Sequence, residues 1–357
     1  MADSPAGPHA GDSEGPARRR PTLQDIADEA GVSAALVSMV LRGRPGASAA
    51  TAARVTEVAD RLGYRANRIA SQLASPRTRL IGVTMTPGNP YHAELIEEIQ
   101  ATADARGYDV LLAAVTRTHD ERRSIETLVD SSCEALVLLG PILPAEVLVQ
   151  AVHTVPTVCI GRPIDEPDID VVRSADIEAM ELLVEHLATL GHTRIAHVDG
   201  GDLPLPAERV RGYLQAMAAR DLDPLVIPGG ETRDSGVRAV ADLKRHTGIT
   251  AVVAYNDQCA IGILDQLHRE GIDVPRDMSV TGFDDDPLAS LDHFSLTTIN
   301  PSQLVQGRLA VEAAMERAEG TRRDRIIRVA AAHLAVRGST ARPPSPVFRK
   351  RRPRPPD

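Results

Sequence analysis

The sequence has no tryptophan, three phenylalanines and five tyrosines in 357 residues, so few rings are available to stack against anything it binds. Its three cysteines, Cys133, Cys159 and Cys259, are an odd number, far apart, each inside an apolar stretch. They lack metal-ligand spacing and read as buried thiols. No apolar run approaches the roughly 18 residues of a membrane span. Residues 1–20, rich in Pro, Gly and Arg, lack the apolar core of a signal peptide. A cytoplasmic protein without a membrane partner is expected. Also missing are a phosphate-binding glycine fingerprint after the first strand, a nucleophile elbow and a His-Glu metal motif. Catalysis has little to stand on, and neither cofactor nor metal is expected.

What is present is 43% hydrophobic residues, enough for sizeable cores, and an uneven charge. The net charge of −9 divides into +6 over residues 18–79 and −17 over residues 80–341. A basic head on an acidic body suits a chain in which one module meets phosphates and the rest stays off them. Residues 1–20 and 342–357 are too rich in Pro, Gly and charge to bury a core and read as disordered tails, the second one basic.

From Leu80 onward, apolar runs at Leu80–Thr84, Val110–Val115, Ala135–Leu139, Thr157–Ile160, Arg194–Val198, Ala251–Tyr255 and Ser279–Phe283 read as buried parallel strands. Amphipathic helices fall between many of them, at Tyr91–Arg106, Ile177–Leu190, Ala207–Ala219, Gln258–Glu270 and Ser302–Ala318. The alternation predicts an α/β, doubly wound body whose ligands lie at strand carboxyl ends. About 260 residues is large for one such sheet, which predicts two lobes.

The head has its own punctuation. Thr22 can cap a first helix that Gly31 ends, and Ser33 at once caps a second. In the second helix Leu36, Val37, Val40 and Leu41 form an apolar face, leaving Ala34, Ala35, Ser38, Met39 and Arg42 outward. Two helices across so tight a turn predict an all-α helix-turn-helix whose second helix enters the major groove. Ser48 can cap a third helix, with Val55, Val58, Ala59 and Leu62 inward and Gly63 at its end.

The run Thr22 to Ser33, then Leu62-Gly63-Tyr64, then Asn67, Ala70 and Leu73 resembles the lactose-repressor (LacI-type) family of transcriptional regulators. The resemblance continues through Asn89-Pro90, Leu183 to Gly200, Arg209 to Tyr213, Tyr255-Asn256-Asp257, Gly282 to Asp285, Leu296 to Ile299 and Arg337 to Thr340, covering residues 22–340. It implies a helix-turn-helix domain at 21–65, a hinge helix and linker at 66–79, and a two-lobed, periplasmic-binding-protein-like domain at 80–341 for effector binding and dimerisation.

The implied function is that of a repressor, a homodimer on near-palindromic double-stranded operator DNA, released or recruited by a small polar effector, above all a sugar. Thr22, Ser33, Ala34, Ala35, Ser38, Met39 and Arg42 match DNA-contacting positions of the head, and Asn67, Ala70 and Leu73 those of the hinge, Leu73 as a wedge in the minor groove. One departure stands out: where relatives commonly place polar residues, Ala34, Ala35 and Met39 offer bases no bidentate hydrogen bond.

Arg209, Asn256 and Asp284 match the family's cleft clamp, an arginine fork, an amide and a carboxylate suited to neighbouring hydroxyls. Tyr91, Arg162 and Asp176 are further candidates, the last also readable as a helix cap. A stacking ring must come from Tyr91, Tyr255, Phe283 or Phe294, and a purine or polyol stays open beside a sugar. The helices around Ala93–Ala103 and Ala260–Leu267 are candidates for dimer contacts or for their own cores. A periplasmic binding protein would share the body but not the head.

Overall fold

The computed structural model describes residues 21–41, 45–64, 77–152, 154–201 and 206–344. The chain divides into two units between Arg77 and Thr78.

In the first unit, α1 (Leu23–Ala30), α2 (Ala34–Leu41) and α3 (Ala49–Leu62) pack around Ile26, Val37, Val55 and Val58. Their ends follow from local chemistry. The Asp25 amide donates to Thr22 Oγ1 at 3.3 Å while the Thr22 amide donates to Asp25 Oδ2 at 2.6 Å, a reciprocal cap that satisfies donors an isolated helix leaves open. Ser33 and Ser48 accept from the amides of Leu36 and Thr51, both at 3.2 Å. Gly31 and Gly63 end α1 and α3 in the left-handed region, at φ 64° and 66°. Two inward–outward assignments change. Ala34, expected outward, packs half-buried against this core, and Leu36, expected inward, lies half-buried outside it.

The second unit holds two parallel sheets. The first lobe is built on β1 (Leu80–Met85), β2 (Asp109–Ala114), β3 (Ala135–Leu139), β4 (Thr157–Ile160), β5 (Ile169–Ser174) and β11 (Ile327–Ala330), in the order β11-β5-β4-β3-β1-β2. The second lobe is built on β6 (Ile195–Val198), β7 (Leu225–Ile227), β8 (Ala251–Ala254) and β9 (Ser279–Thr281), in the order β7-β6-β8-β9. β10 (Thr298–Asn300) and β12 (His333–Ala335) pair antiparallel beside it.

Helices α4 (Pro90–Ala105), α5 (Glu121–Asp130), α6 (Ala145–Val152) and α11 (Gln303–Ala318) cover the first sheet, and α7 (Asp176–Thr189), α8 (Pro206–Ala218), α9 (Arg233–Leu243) and α10 (Asp257–Arg269) the second. Leu95, Ile99 and Ala103 of α4, and Ala260, Ile263 and Leu267 of α10, are buried in the cores of their own lobes.

Strand order reverses at β1 in one sheet and at β6 in the other, because each is flanked by the two strands that follow it. Crevices that receive ligands form at such switch points. The chain passes between lobes at Ser174–Asp176, Asn300–Gln303 and Ala330–His333. These passages are tied together: the Ala175 amide donates to the Ala330 carbonyl at 3.0 Å, and Ser302 Oγ to the Ala331 carbonyl at 2.7 Å.

Candidate functional site

Between the carboxyl ends of the two sheets lies a cavity of about 670 Å³, within the range of small-molecule sites. Its organising group is Arg209, on α8. Nε donates to Asp176 Oδ1 at 3.0 Å, Nη1 to the Tyr255 carbonyl at 2.6 Å, and Nη2 reaches Asp284 Oδ1 at 3.5 Å. The guanidinium carbon stands 3.5 Å from the Phe283 ring centre and 4.6 Å from that of Tyr255. A cation over aromatic faces gains most where water is excluded, and this side chain is only 7% exposed. Two of the five guanidinium N–H donors remain for a ligand.

Asp176 is the first residue of α7, whose N-cap position belongs to Ala175. Its carboxylate therefore serves Arg209, with Ser174 Oγ donating to the other oxygen at 2.9 Å. Asp284 follows β9 with φ at 111°, a conformation that costs a non-glycine residue about 1–3 kcal/mol. The surroundings hold it there. Its amide donates to the Ile299 carbonyl at 2.9 Å, and Gln303 Nε2 donates to its carbonyl. Burial pushes the Asp284 carboxyl up to about 7; Arg209 pulls it down and Asp176 pushes it further up.

The acids after Asp284 turn elsewhere. Asp285 accepts from Arg337 Nη2 at 2.6 Å and Asn300 Nδ2 at 3.0 Å. Asp286 accepts from the Leu288 amide at 2.8 Å and Gln258 Nε2 at 2.6 Å. Three successive carboxylates thus serve three different sets of partners.

Tyr91, Asp176, Arg209, Asn256 and Asp284 line this one cavity. Asn256 is also the N-cap of α10: its Oδ1 accepts from the Cys259 amide at 2.8 Å and its Nδ2 donates to the Glu231 carbonyl at 3.1 Å, which leaves one amide proton. Tyr255 lines the cavity as well, and burial raises both tyrosine hydroxyls above their ordinary range, so both stay neutral donors.

Two expected residues do not line it. Phe283 is fully buried under the Arg209 guanidinium, because it belongs to the core of the second lobe. Arg162 is turned beneath the Gly140–Pro144 loop, where Nη1 donates to the Pro141 carbonyl at 3.2 Å and to that of Leu143. Phe294 lines a different cavity of about 640 Å³, alongside residues of α9 and α10.

Sequence reasoning missed Glu121, which accepts from the Leu143 amide at 2.8 Å and the Ile142 amide at 3.0 Å. Glu121 and Arg162 together satisfy both faces of a loop that sets Pro141 and the half-exposed Ile142 into the cavity wall. It also missed His92, which lines the cavity and accepts the Thr86 amide on Nδ1 at 3.0 Å. Burial lowers His92 to about 4, so at neutral pH it is uncharged. Neither residue stands out in the sequence, because each acts through backbone groups brought near by the fold.

In the head, Thr22 and Ser33 cap their helices, Ala35 is exposed, and Ser38 and Met39 are half-buried. Arg42, Asn67, Ala70 and Leu73 lie outside the described residues, as do the expected tail 1–20 and all of the expected tail 342–357 beyond residue 344. The three cysteines are buried, as expected, and burial raises Cys133 to about 11 and Cys259 to about 12.

Comparison with known proteins gives these residues a context. Residues 22–67 match the family of bacterial regulatory proteins of the lacI type, and residues 184–340 match a periplasmic binding protein-like domain. The chain is 31% identical over 306 residues to the ribose operon repressor of Escherichia coli K12, spanning 83% of this chain and 92% of that one. Among solved structures, a LacI transcriptional regulator from a Rhodococcus species is 38% identical with a TM-score of 0.72, covering 74% of this chain and 98% of that one. The Lac repressor bound to ONPG in its repressed state is 26% identical with a TM-score of 0.79, over 90% and 100%. With the capped helix-turn-helix and the two-sheet body on one chain, the protein belongs to the LacI family of DNA-binding transcriptional regulators.

Proposed function

We propose that the chain is a homodimeric repressor whose grip on a near-palindromic operator is set by a sugar or similar polyol held between its lobes. The observation that carries the reading is the Arg209–Asp176–Asp284 cluster in the cavity between two switch points. Beyond the bonds it already makes, it has two guanidinium N–H donors and one carboxylate oxygen, on residues that line a space of about 670 Å³. One hydroxyl can accept from Arg209 and donate to Asp284, and its neighbour can use the remaining Asn256 proton. Tyr91, Tyr255 and His92 complete the polar lining, with Pro141 and Ile142 as an apolar wall. The relatives' names supply the chemistry: ribose for the operon repressor and ONPG for the Lac repressor.

The domain plan that goes with this is a head at 21–65, a hinge at 66–79 and a body at 80–341. Thr22, Ser33, Ala35, Ser38, Met39 and Arg42 contact the operator, and Asn67, Ala70 and Leu73 act from the hinge. The protein works in the cytoplasm, where its DNA is, and regulates without catalysing. Among the described residues no helix is long and apolar enough to cross a membrane.

A thermal-shift panel of D-ribose, D-galactose, cellobiose, maltose, sugar alcohols and nucleobases tests the effector class. A ligand at 100 times its dissociation constant adds about 2.7 kcal/mol of stability. A sugar or polyol should raise the melting temperature, and Asp284→Asn should remove the shift. A response to nucleobases alone would refute the polyol reading.

A further inference from the structure

Helix α2 presents very little to a base edge. Val37 is buried, Val40 and Leu41 pack against the head core, and Ala34 joins them half-buried. The side that remains is Ala35, exposed, with Leu36, Ser38 and Met39, half-buried. Ala35, Ser38 and Met39 stand three and four residues apart and so form one contiguous stripe, with Leu36 beside it. Met39 is seated against Gly46: a Cβ built on Gly46 would stand 2.6 Å from its sulfur, and Gly46 has φ at 141°. A glycine there leaves the thioether its space. Within the described part of α2, the Ser38 hydroxyl is the one outward group that can hydrogen-bond.

In the major groove every base pair displays donors and acceptors, and thymine alone adds an apolar group, its C5-methyl. The methyl and the thioether are complementary to that group, and the single hydroxyl between them cannot make the bidentate pair of hydrogen bonds that reads guanine. We propose that Ala35 and Met39 read thymine methyls, so that each operator half-site carries thymines where they land and is recognised there by methyl burial in place of bidentate hydrogen bonds. The inference rests on the DNA-regulator reading and adds the base chemistry of its specificity.

The test starts from the full-length protein and a random duplex library. The duplex enriched by selection is titrated at fixed salt, and its thymines are replaced by deoxyuridine, which lacks only the C5-methyl. Burying one such carbon should be worth about fourfold in affinity, so symmetric replacement in both half-sites of a dimer site should cost about fifteenfold. At the thymine under Ala35, the ratio of thymine to uracil affinity should fall to one in Ala35→Gly, whatever that change does to helix stability. Enriched half-sites without thymines, or thymines replaceable without loss, would overturn the inference. If no duplex is enriched at all, the DNA-regulator reading fails first.

Discussion

Arg209→Ala should destabilise the ligand-free body before any ligand is considered. The guanidinium is the partner of Asp176, whose side chain is 2% exposed, and it also serves the Tyr255 carbonyl and Asp284. Removing one member of a buried pair costs about 3–5 kcal/mol, mostly because the other charge is left without a partner. In a domain of this size 1 kcal/mol moves the melting temperature by about 2–4 °C, so the variant should melt roughly 10 °C lower. That origin can be isolated. Asp176→Asn in the Arg209→Ala background removes the stranded charge while keeping its shape, and should return about 1–3 kcal/mol. The same change in the wild type should destabilise. Melting curves of the four proteins without ligand make the measurement. Arg209→Ala melting like the wild type, or Asp176→Asn giving no recovery in its background, would refute the assignment of Arg209 as the buried centre of the cluster.

Three further outcomes follow from named contacts. With a folded-state pKa of about 7 against an ordinary 3.8, Asp284 contributes stability when protonated, fully present below about pH 4 and lost as pH rises through 7. The stability of the wild type relative to Asp284→Asn should therefore fall by at most about 1.4 kcal/mol per pH unit across that window, and a flat difference from pH 4.5 to 8 would contradict it. Gly262→Ala should cost about 3 kcal/mol in denaturant unfolding, since its Cβ would stand 2.0 Å from the Arg233 carbonyl oxygen where α9 and α10 meet backbone to backbone. Glu121→Ala should lower stability by about 1–3 kcal/mol by leaving the Ile142 and Leu143 amides without an acceptor, and hydrogen exchange should show those amides losing protection.

Much of this was legible in the sequence, for reasons that differ by element. The head could be read because its signals are local: Thr22, Ser33 and Ser48 act within three residues, and Gly31 and Gly63 end helices by their own backbone freedom. The fully buried strands β3, β4 and β8 showed as unbroken apolar runs. β5 did not, because Asp170 interrupts it. That carboxylate is buried and held by Arg322 Nη2 at 2.6 Å and the Ile326 amide at 2.9 Å, partners more than 150 residues away. β7, β10 and β12 are three residues long and carry too little pattern to see.

At the site, the resemblance pointed to Arg209, Asn256 and Asp284, which line one cavity, whereas Phe283, named for the scarcity of rings, and Arg162, named for its place after the fourth strand, support groups that line it. The difference between touching the cavity and supporting it is one of side-chain direction. Linear order does not encode it.

The central claim is that occupancy of the Arg209–Asp284 cleft changes DNA affinity. It is tested most directly by titrating the selected duplex with full-length protein, with and without the sugar that most raises its melting temperature, in the wild type and in Asp284→Asn. Coupling free energies of about 1–3 kcal/mol correspond to changes of roughly 5–150-fold. The wild type should show a change of that size and Asp284→Asn, still folded and still bound to the duplex, none. An equal response in both proteins, or a stabilising ligand that leaves wild-type DNA affinity unchanged, would contradict the claim.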